Sequence, residues 1–317
     1  MTEVATYTEV QKRNYDPTHT TVLRNLFVRD MNRRFGELIN VVKKSVVVND
    51  CFGLNKTHIL TLQMNPAAKD SFDYARSDKK VTAFMEWLDQ QVKAGIITVQ
   101  DMAQIGTGVE AVWTNKYIFD SYRRGVARAR YEMIQAGMKI PTIEETGGIM
   151  ASMSLPFHID RVGLMFTRTF SDLKGVTDAM ESIMSRILAQ GMADGDGPIL
   201  LARKLVAAIN GEKIGELGLT DSLGRYISPK RRAEMIARTE TIRAHHLATI
   251  QEYRNWGLFD IIVKGEWHTA GDDRVCSKCD ALNGQIFTLD EIEPMIPLHP
   301  MCRCMALPYI EELQQYK

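Results

Sequence analysis

The sequence predicts a mainly α protein, with helical N-terminal and middle regions and a small zinc-stapled α+β unit at the C-terminal end. Three observations carry this expectation. Apolar residues recur at three- and four-residue steps through most of the chain up to Trp256, the signature of amphipathic helices. After Gly257 the period changes to alternation, which reads as strand. Four of the five cysteines then fall close together, as Cys276-x-x-Cys279 and Cys302-x-Cys304, with His299 beside the second pair.

The 317 residues are 45% apolar and 25% charged, ordinary proportions for a globular protein and enough for about two domains. Residues Met1 to Ala5 lack the basic start and apolar run of a secretory leader. No stretch approaches the roughly 18 apolar residues of a membrane-spanning helix. These features lead us to expect a compartment where thiols stay reduced and clustered cysteines take a metal instead of pairing. Lys and Arg number 39, as do Asp and Glu, a balance unlike that of a dedicated nucleic-acid binder. The basic excess lies in residues 1–140 and the acidic excess in the remainder.

The first helix is expected to open at Asp16-Pro17, as a cap followed by proline at the first helical position. It runs about seven turns on Val22, Leu23, Leu26, Phe27, Met31, Phe35, Leu38, Ile39 and Val42. A helix this long suits docking on a neighbour as well as packing in a bundle. A polar stretch over 56–77, broken at Pro66, precedes helices over 81–94 and 115–136, each ended by glycine. The second of these carries Arg123, Arg124, Arg128 and Arg130, of which three can share a face, either simply solvated or meeting phosphate or an acidic surface. Residues 139–156 hold Pro141, Gly147, Gly148 and Pro156 without a sustained period. They mark a boundary between a helical docking region (1–140), a linker (141–156) and a second region (157–317).

Beyond that boundary, helices are expected over 159–170 and 176–192, separated at Lys174-Gly175. Another follows the turn Gly195-Asp196-Gly197-Pro198, over 199–209. The last, capped by Ser228-Pro229 and ended by Gly257, runs over 231–256 with Met235, Ile236, Ile242, Leu247, Ile250 and Tyr253 as its stripe. A β unit over 257–310 follows: one strand through Phe259, Ile261, Val263, Gly265 and Trp267, then short strands at 286–287 and 305–310. Cys51, alone beside Phe52, reads as a small buried hydrophobe.

Zinc takes four tetrahedral ligands from thiolates and imidazoles. A Cys-x-x-Cys turn presents two sulfurs on one side, and two cysteines two apart on a strand point the same way. Five residues therefore compete for four places. Either Cys276, Cys279, Cys302 and Cys304 bind, with His299 behind them, or His299 replaces one of Cys302 and Cys304. Both sets are closed, with no position left for a reactive water, so the zinc is structural rather than catalytic. Such a site contributes on the order of 10–16 kcal/mol of apparent binding energy to folding. No catalytic or cofactor-binding constellation stands out. Arg238 and Glu240 diverge by about 200° on their helix, and Arg238 is expected to pair with Asp273 or a carbonyl of the zinc unit. The adjacent His245 and His246 point apart, and His58, His158 and His268 receive no role.

The ordered motifs then resemble a family. Trp267-x-Thr269, Asp273-Arg274-Val275-Cys276-x-x-Cys279, Leu282-x-Gly284-x-Ile286-Phe287 and Pro297-x-His299-Pro300-x-Cys302-Arg303-Cys304 are similar to the phage Mu F-like head morphogenesis, or minor head, proteins of tailed phages. Ala237-Arg238-Thr239-Glu240 and the turn with Gly191, Gly195 and Gly197-Pro198 extend the resemblance upstream, over roughly residues 157–308. It implies a non-enzymatic virion component at the head interior or portal vertex, made in the host cytoplasm. It implies portal, major capsid or scaffolding proteins as partners, and a part in head morphogenesis, with a role in genome packaging or delivery. A small-molecule substrate and a membrane are not expected. The alternatives are a zinc-stapled nuclease, although His299 is the sole histidine between Cys279 and Cys304, and a DNA-binding module contacting packaged DNA through Arg123, Arg124 and Arg128.

Overall fold

The computed structural model describes residues 16–54, 77–96, 113–210, 227–257 and 263–310. The polar stretch with Pro66, His58, Phe259 and Ile261 lie outside them. The described chain is mainly helical, with one small antiparallel sheet near its C-terminal end.

Helix α1 (Thr21–Lys43) begins later than the sequence suggested. Asp16 and Pro17 form a turn before it, and Asp16 caps it from a distance. Its carboxylate accepts hydrogen bonds from the Thr21 amide and hydroxyl, each at 2.7 Å, and from Arg24 at 3.0 Å. The other oxygen accepts from Thr18. Burial works to raise the Asp16 pKa, but Arg24 and the threonine donors outweigh it and lower it to about 2. The folded pKa lies below the unfolded one, so the carboxylate's contribution is complete above about pH 4 and is lost as pH falls toward 2. The shift corresponds to about 2 kcal/mol. Asp16→Asn should cost about that much at pH 7 in urea unfolding. The difference from wild type should shrink as pH falls through the same window, and a pH-independent difference would refute the linkage.

Phe27, Met31, Phe35 and Val42 of α1 are fully buried, as the periodicity required. The helix passes into a π turn (Lys44–Val48), after which Cys51 and Phe52 enter the core. Burial pushes the Cys51 thiol up to about 11, fitting a residue that serves as a hydrophobe. Helices α2 (Ser77–Gly95) and α3 (Asn115–Gln135) follow the predicted spans closely. The intervening 139–156 segment contains a short α4 (Ile149–Met153).

The expected break at Lys174-Gly175 does not occur. Helix α5 (Pro156–Ala193) is continuous over 38 residues. Glycine costs about 1 kcal/mol against alanine inside a helix, and the burial of Leu173 and Val176 on either side of it outweighs that penalty. After α6 (Pro198–Asn210) comes α7 (Pro229–Trp256), capped by the Ser228 hydroxyl accepting from the Arg231 amide at 3.1 Å.

Helix α7 departs from the expected one-sided stripe, because it is central. Its buried residues include Ala233, Ala237, Thr241, Ala244, His245, His246, Ala248 and Thr249, spread around the axis. Small side chains let neighbouring helices approach closely. At Gly125 of α3 an added Cβ would lie 2.3 Å from the His245 carbonyl oxygen, so only glycine fits that crossing.

One apolar cluster runs from Leu23 to Ala248 and joins α1, α2, α3, α5, α6 and α7. A second joins Ala129 and Met133 of α3 and Ile242, Ile250 and Tyr253 of α7 to the C-terminal unit. That unit holds β1 (Val263–His268), β2 (Ile286–Phe287) and β3 (Met305–Ile310), in the order β2-β1-β3 and antiparallel throughout. Gly265 faces Phe287 on one side and Pro308 on the other. Between the strands lie α8 (Ser277–Asp280) and α9 (Leu289–Ile292).

Candidate metal centre

The two loops that carry the cysteines are shaped by the residues around them. Trp267 is fully buried on β1, and its carbonyl accepts from the Gly284 amide at 2.8 Å. Gly284 has φ of 79°, so a side chain there would strain the turn. Asn283 accepts from the Thr269 amide and hydroxyl at 2.9 and 3.1 Å, closing the loop that contains Cys276 and Cys279. Cys276 caps α8, its sulfur accepting from the Cys279 amide at 3.5 Å. On the other loop, Arg303 grips Asp272 with both guanidinium nitrogens, at 2.5 and 2.6 Å. Hydrogen bonds from Arg303 and Arg274 hold the Asp272 carboxyl well below the usual carboxylate range.

The five sequence-predicted residues converge. His299 Nε2 lies 3.3 Å from the sulfurs of both Cys276 and Cys279. Its Nδ1 donates to the Pro300 carbonyl at 2.8 Å, which leaves the Nε2 lone pair facing the sulfurs. Cys279 Sγ is 4.0 Å from Cys302 Sγ. The ligand atoms form two triads, Cys276–Cys279–His299 and Cys279–Cys302–Cys304, each with all atoms within 4.8 Å of one another. Cys279 belongs to both. Ligands at zinc-like bond lengths around a tetrahedron stand roughly 3.6–3.8 Å apart, and the observed spacings bracket that value. Cys302 and Cys304 lie just before β3, not on it, yet both sulfurs still turn to the same cluster.

The electrostatics suit a cation. The hydrogen bond from Cys304, and then the Cys304 amide, pull the Cys302 thiol down. Burial and the neighbouring Cys302 push Cys279 up, while the Cys279 amide lowers Cys276. Packed sulfurs cannot all ionise against each other, and a bound cation removes that conflict. The cluster can therefore hold a metal ion.

Several contacts fasten this unit to the helices. The motif Ala237-Arg238-Thr239-Glu240 does so through Thr239, whose hydroxyl accepts from the Met301 amide at 3.0 Å. Met301 has φ of 64°, and this bond holds the bend beside the cluster. Arg238 does not reach Asp273; it donates to Asn25 of α1 at 3.2 Å, because its turn of α7 faces that helix. Buried Glu240 pairs with Arg243 at 3.1 Å and Arg168 at 3.3 Å. His246 Nε2 donates to the Ile292 carbonyl at 3.1 Å, and the Tyr253 hydroxyl to the Ala306 carbonyl at 3.1 Å. Burial lowers the pKa values of His245 and His246 to about 3 and about 4, so both stay neutral in the core.

Three of the four arginines of α3 are paired with carboxylates, while the exposed Arg124 donates to the His19 carbonyl at 3.4 Å. Arg123 pairs with Asp120 and Arg128 with Glu132. Arg130 turns inward and belongs to a buried cluster that sequence reasoning missed. Glu252 accepts from Arg130 at 3.2 Å, from His158 Nε2 at 3.1 Å and from the Trp256 indole at 2.7 Å. The Tyr122 hydroxyl, kept protonated by burial, donates to His158 Nδ1 at 3.0 Å. Arg130 also donates to Thr146 and the Pro141 carbonyl. The cluster ties α3, α5, α7 and the 141–146 turn together. Glu252 sits in the polar-looking run Gln251-Glu252-Tyr253-Arg254-Asn255, so nothing in the local sequence marks it as buried.

No curated protein and no solved structure matches the chain. A family model described as Phage Mu protein F like protein matches residues 183–307, a span from the second half of α5 into β3 that contains all five cluster residues. Over residues 183–307 the chain is thus similar to the Mu F-like proteins, the phage head morphogenesis family that its motifs resemble.

Proposed function

We propose that this chain is a structural minor head protein of a tailed phage. It acts without catalysis, at the portal vertex or inner capsid, and assists head assembly and genome packaging or delivery. Its partners are the portal, major capsid or scaffolding protein, met in the host cytoplasm during assembly and retained in the virion. The observation that supports this most is that the Mu F-like span encloses the whole cysteine–histidine cluster together with α7, the helix that roots it.

In this reading the cluster holds one structural zinc, bound by four of Cys276, Cys279, His299, Cys302 and Cys304. The ion staples the two loops that carry the cysteines, a device suited to a unit of this small size. Its only chemistry is to bind thiolates and imidazole in a closed shell.

Quantitative mass spectrometry of purified particles, DNA-filled and emptied, tests the assignment. The chain should be present in copy number comparable to the portal protein, and loss on emptying would mark it as ejected with the genome. Absence from both kinds of head would overturn the reading. Metal analysis of the same chain should return one zinc per copy.

A further inference from the structure

A groove on the far side of the helical body has a chemistry that the zinc unit does not explain. It lies between the end of α1 with its π turn and helix α6, and encloses about 600 Å³. Its walls include Val48, Ile199 and Val206, and its rim carries Lys43, Lys44 and Arg203. Val48 is 74% exposed and Ile199 65% exposed, which is unusual for two branched aliphatics beside each other on a water-facing surface. Among the described residues none of the three cations has a carboxylate partner. Most other lysines and arginines on these helices do have one: Arg24 with Asp16, Arg33 with Glu37, Lys204 with Asp196.

The π turn is a second observation. The Asn49 amide reaches back five residues to the Lys44 carbonyl at 2.9 Å. π turns are rare and are frequently found at functional sites. Here it buries Ser45 and Val46 and leaves Val48 standing at the groove.

We propose that this groove docks an acidic amphipathic helix of another protein. Its apolar face would cover Val48, Ile199 and Val206, and its carboxylates would meet Lys43, Lys44 and Arg203. Charge complementarity selects that occupant. A second copy of this chain docking groove to groove would set six cations against each other. Nucleic acid would satisfy the cations but leave the aliphatic walls wet. That the donor is a head protein rests on the function proposed above; the character of the groove does not.

The test places a photo-crosslinking amino acid at Val48 in the full chain, in cells assembling the phage. The crosslinked peptide is identified by mass spectrometry, with and without the Lys43→Glu, Lys44→Glu and Arg203→Glu exchanges. These residues are exposed, so the triple variant should keep the wild-type melting temperature, which is checked first. We expect a net-acidic peptide with apolar residues at i, i+3 or i+4 and i+7, and a loss of roughly tenfold or more of its yield in the triple variant. A crosslink to this same chain, to nucleic acid or to nothing, or a yield indifferent to charge reversal, would overturn the proposal. The two readings fail separately. A chain present in purified heads but uncrosslinked sinks the groove alone; an acidic-helix crosslink by a chain missing from heads sinks the head assignment alone.

Discussion

On the zinc assignment proposed above, Cys279→Ser should release the ion and unfold the C-terminal unit while the helices stay folded. Cys279 is the one residue common to both triads and a member of each four-ligand set that the sequence suggested, so its loss disables those sets. Structural zinc contributes on the order of 10 kcal/mol or more to folding of the unit it closes. The contacts left between α7 and this unit are the apolar cluster shared with Ile242, Ile250 and Tyr253 and hydrogen bonds such as Met301 to Thr239, worth about 1 kcal/mol each; they dock the unit but do not close its loops. Limited proteolysis should cut the variant between Gly257 and β3, with helical circular dichroism largely kept. Zinc content should fall from one per chain to none. Chelation of wild type should give the same pattern, reversed by added zinc. Wild-type protease resistance in the variant would show that the unit stands on its apolar core without metal.

Glu252→Ala is expected to be the most damaging change away from the metal. Glu252 and His158 side chains are about 1% exposed or less, and Arg130 is 4% exposed. Removing the carboxylate strands a guanidinium in the core and takes the acceptor from His158 and Trp256. Breaking a buried pair from one side costs about 3–5 kcal/mol. Replacing both partners, Glu252→Leu with Arg130→Met, should cost clearly less, since no charge is then left unpaired. Urea unfolding of the three proteins decides it. Equal losses for the single and double variants would mean that the cost is one of packing and not of stranded charge.

The parts of the fold read correctly from the sequence are those governed by local rules. Ser228-Pro229 capped its helix as predicted, Gly257 ended it, and the short strands at 286–287 and 305–310 formed where expected. The cysteine cluster was legible because metal-binding spacing is a local pattern with a chemical reason, and the structure brings all five residues together. What went wrong depended on partners distant in sequence. Gly175 reads as a break only until Leu173 and Val176 are known to be buried. Helix α7 reads as amphipathic until α3 is found pressed against it at Gly125. Arg238 was expected to pair with Asp273 or a carbonyl of the C-terminal unit, yet its side chain faces α1, a direction that only helix packing fixes. The Glu252 cluster was hidden for the same reason: its members lie on α3, α5 and α7.

The second apolar cluster has a consequence for the life of the chain in the cell. Ala129 and Met133 of α3, with Ile242 and Ile250 of α7, are covered by the C-terminal unit. A copy that has not acquired its ion would uncover this patch while its helical body remained intact. Such a copy is adhesive, open to proteases and chaperones, and marked as immature. On the function proposed above, ion loading would then separate finished copies from unfinished ones ahead of incorporation.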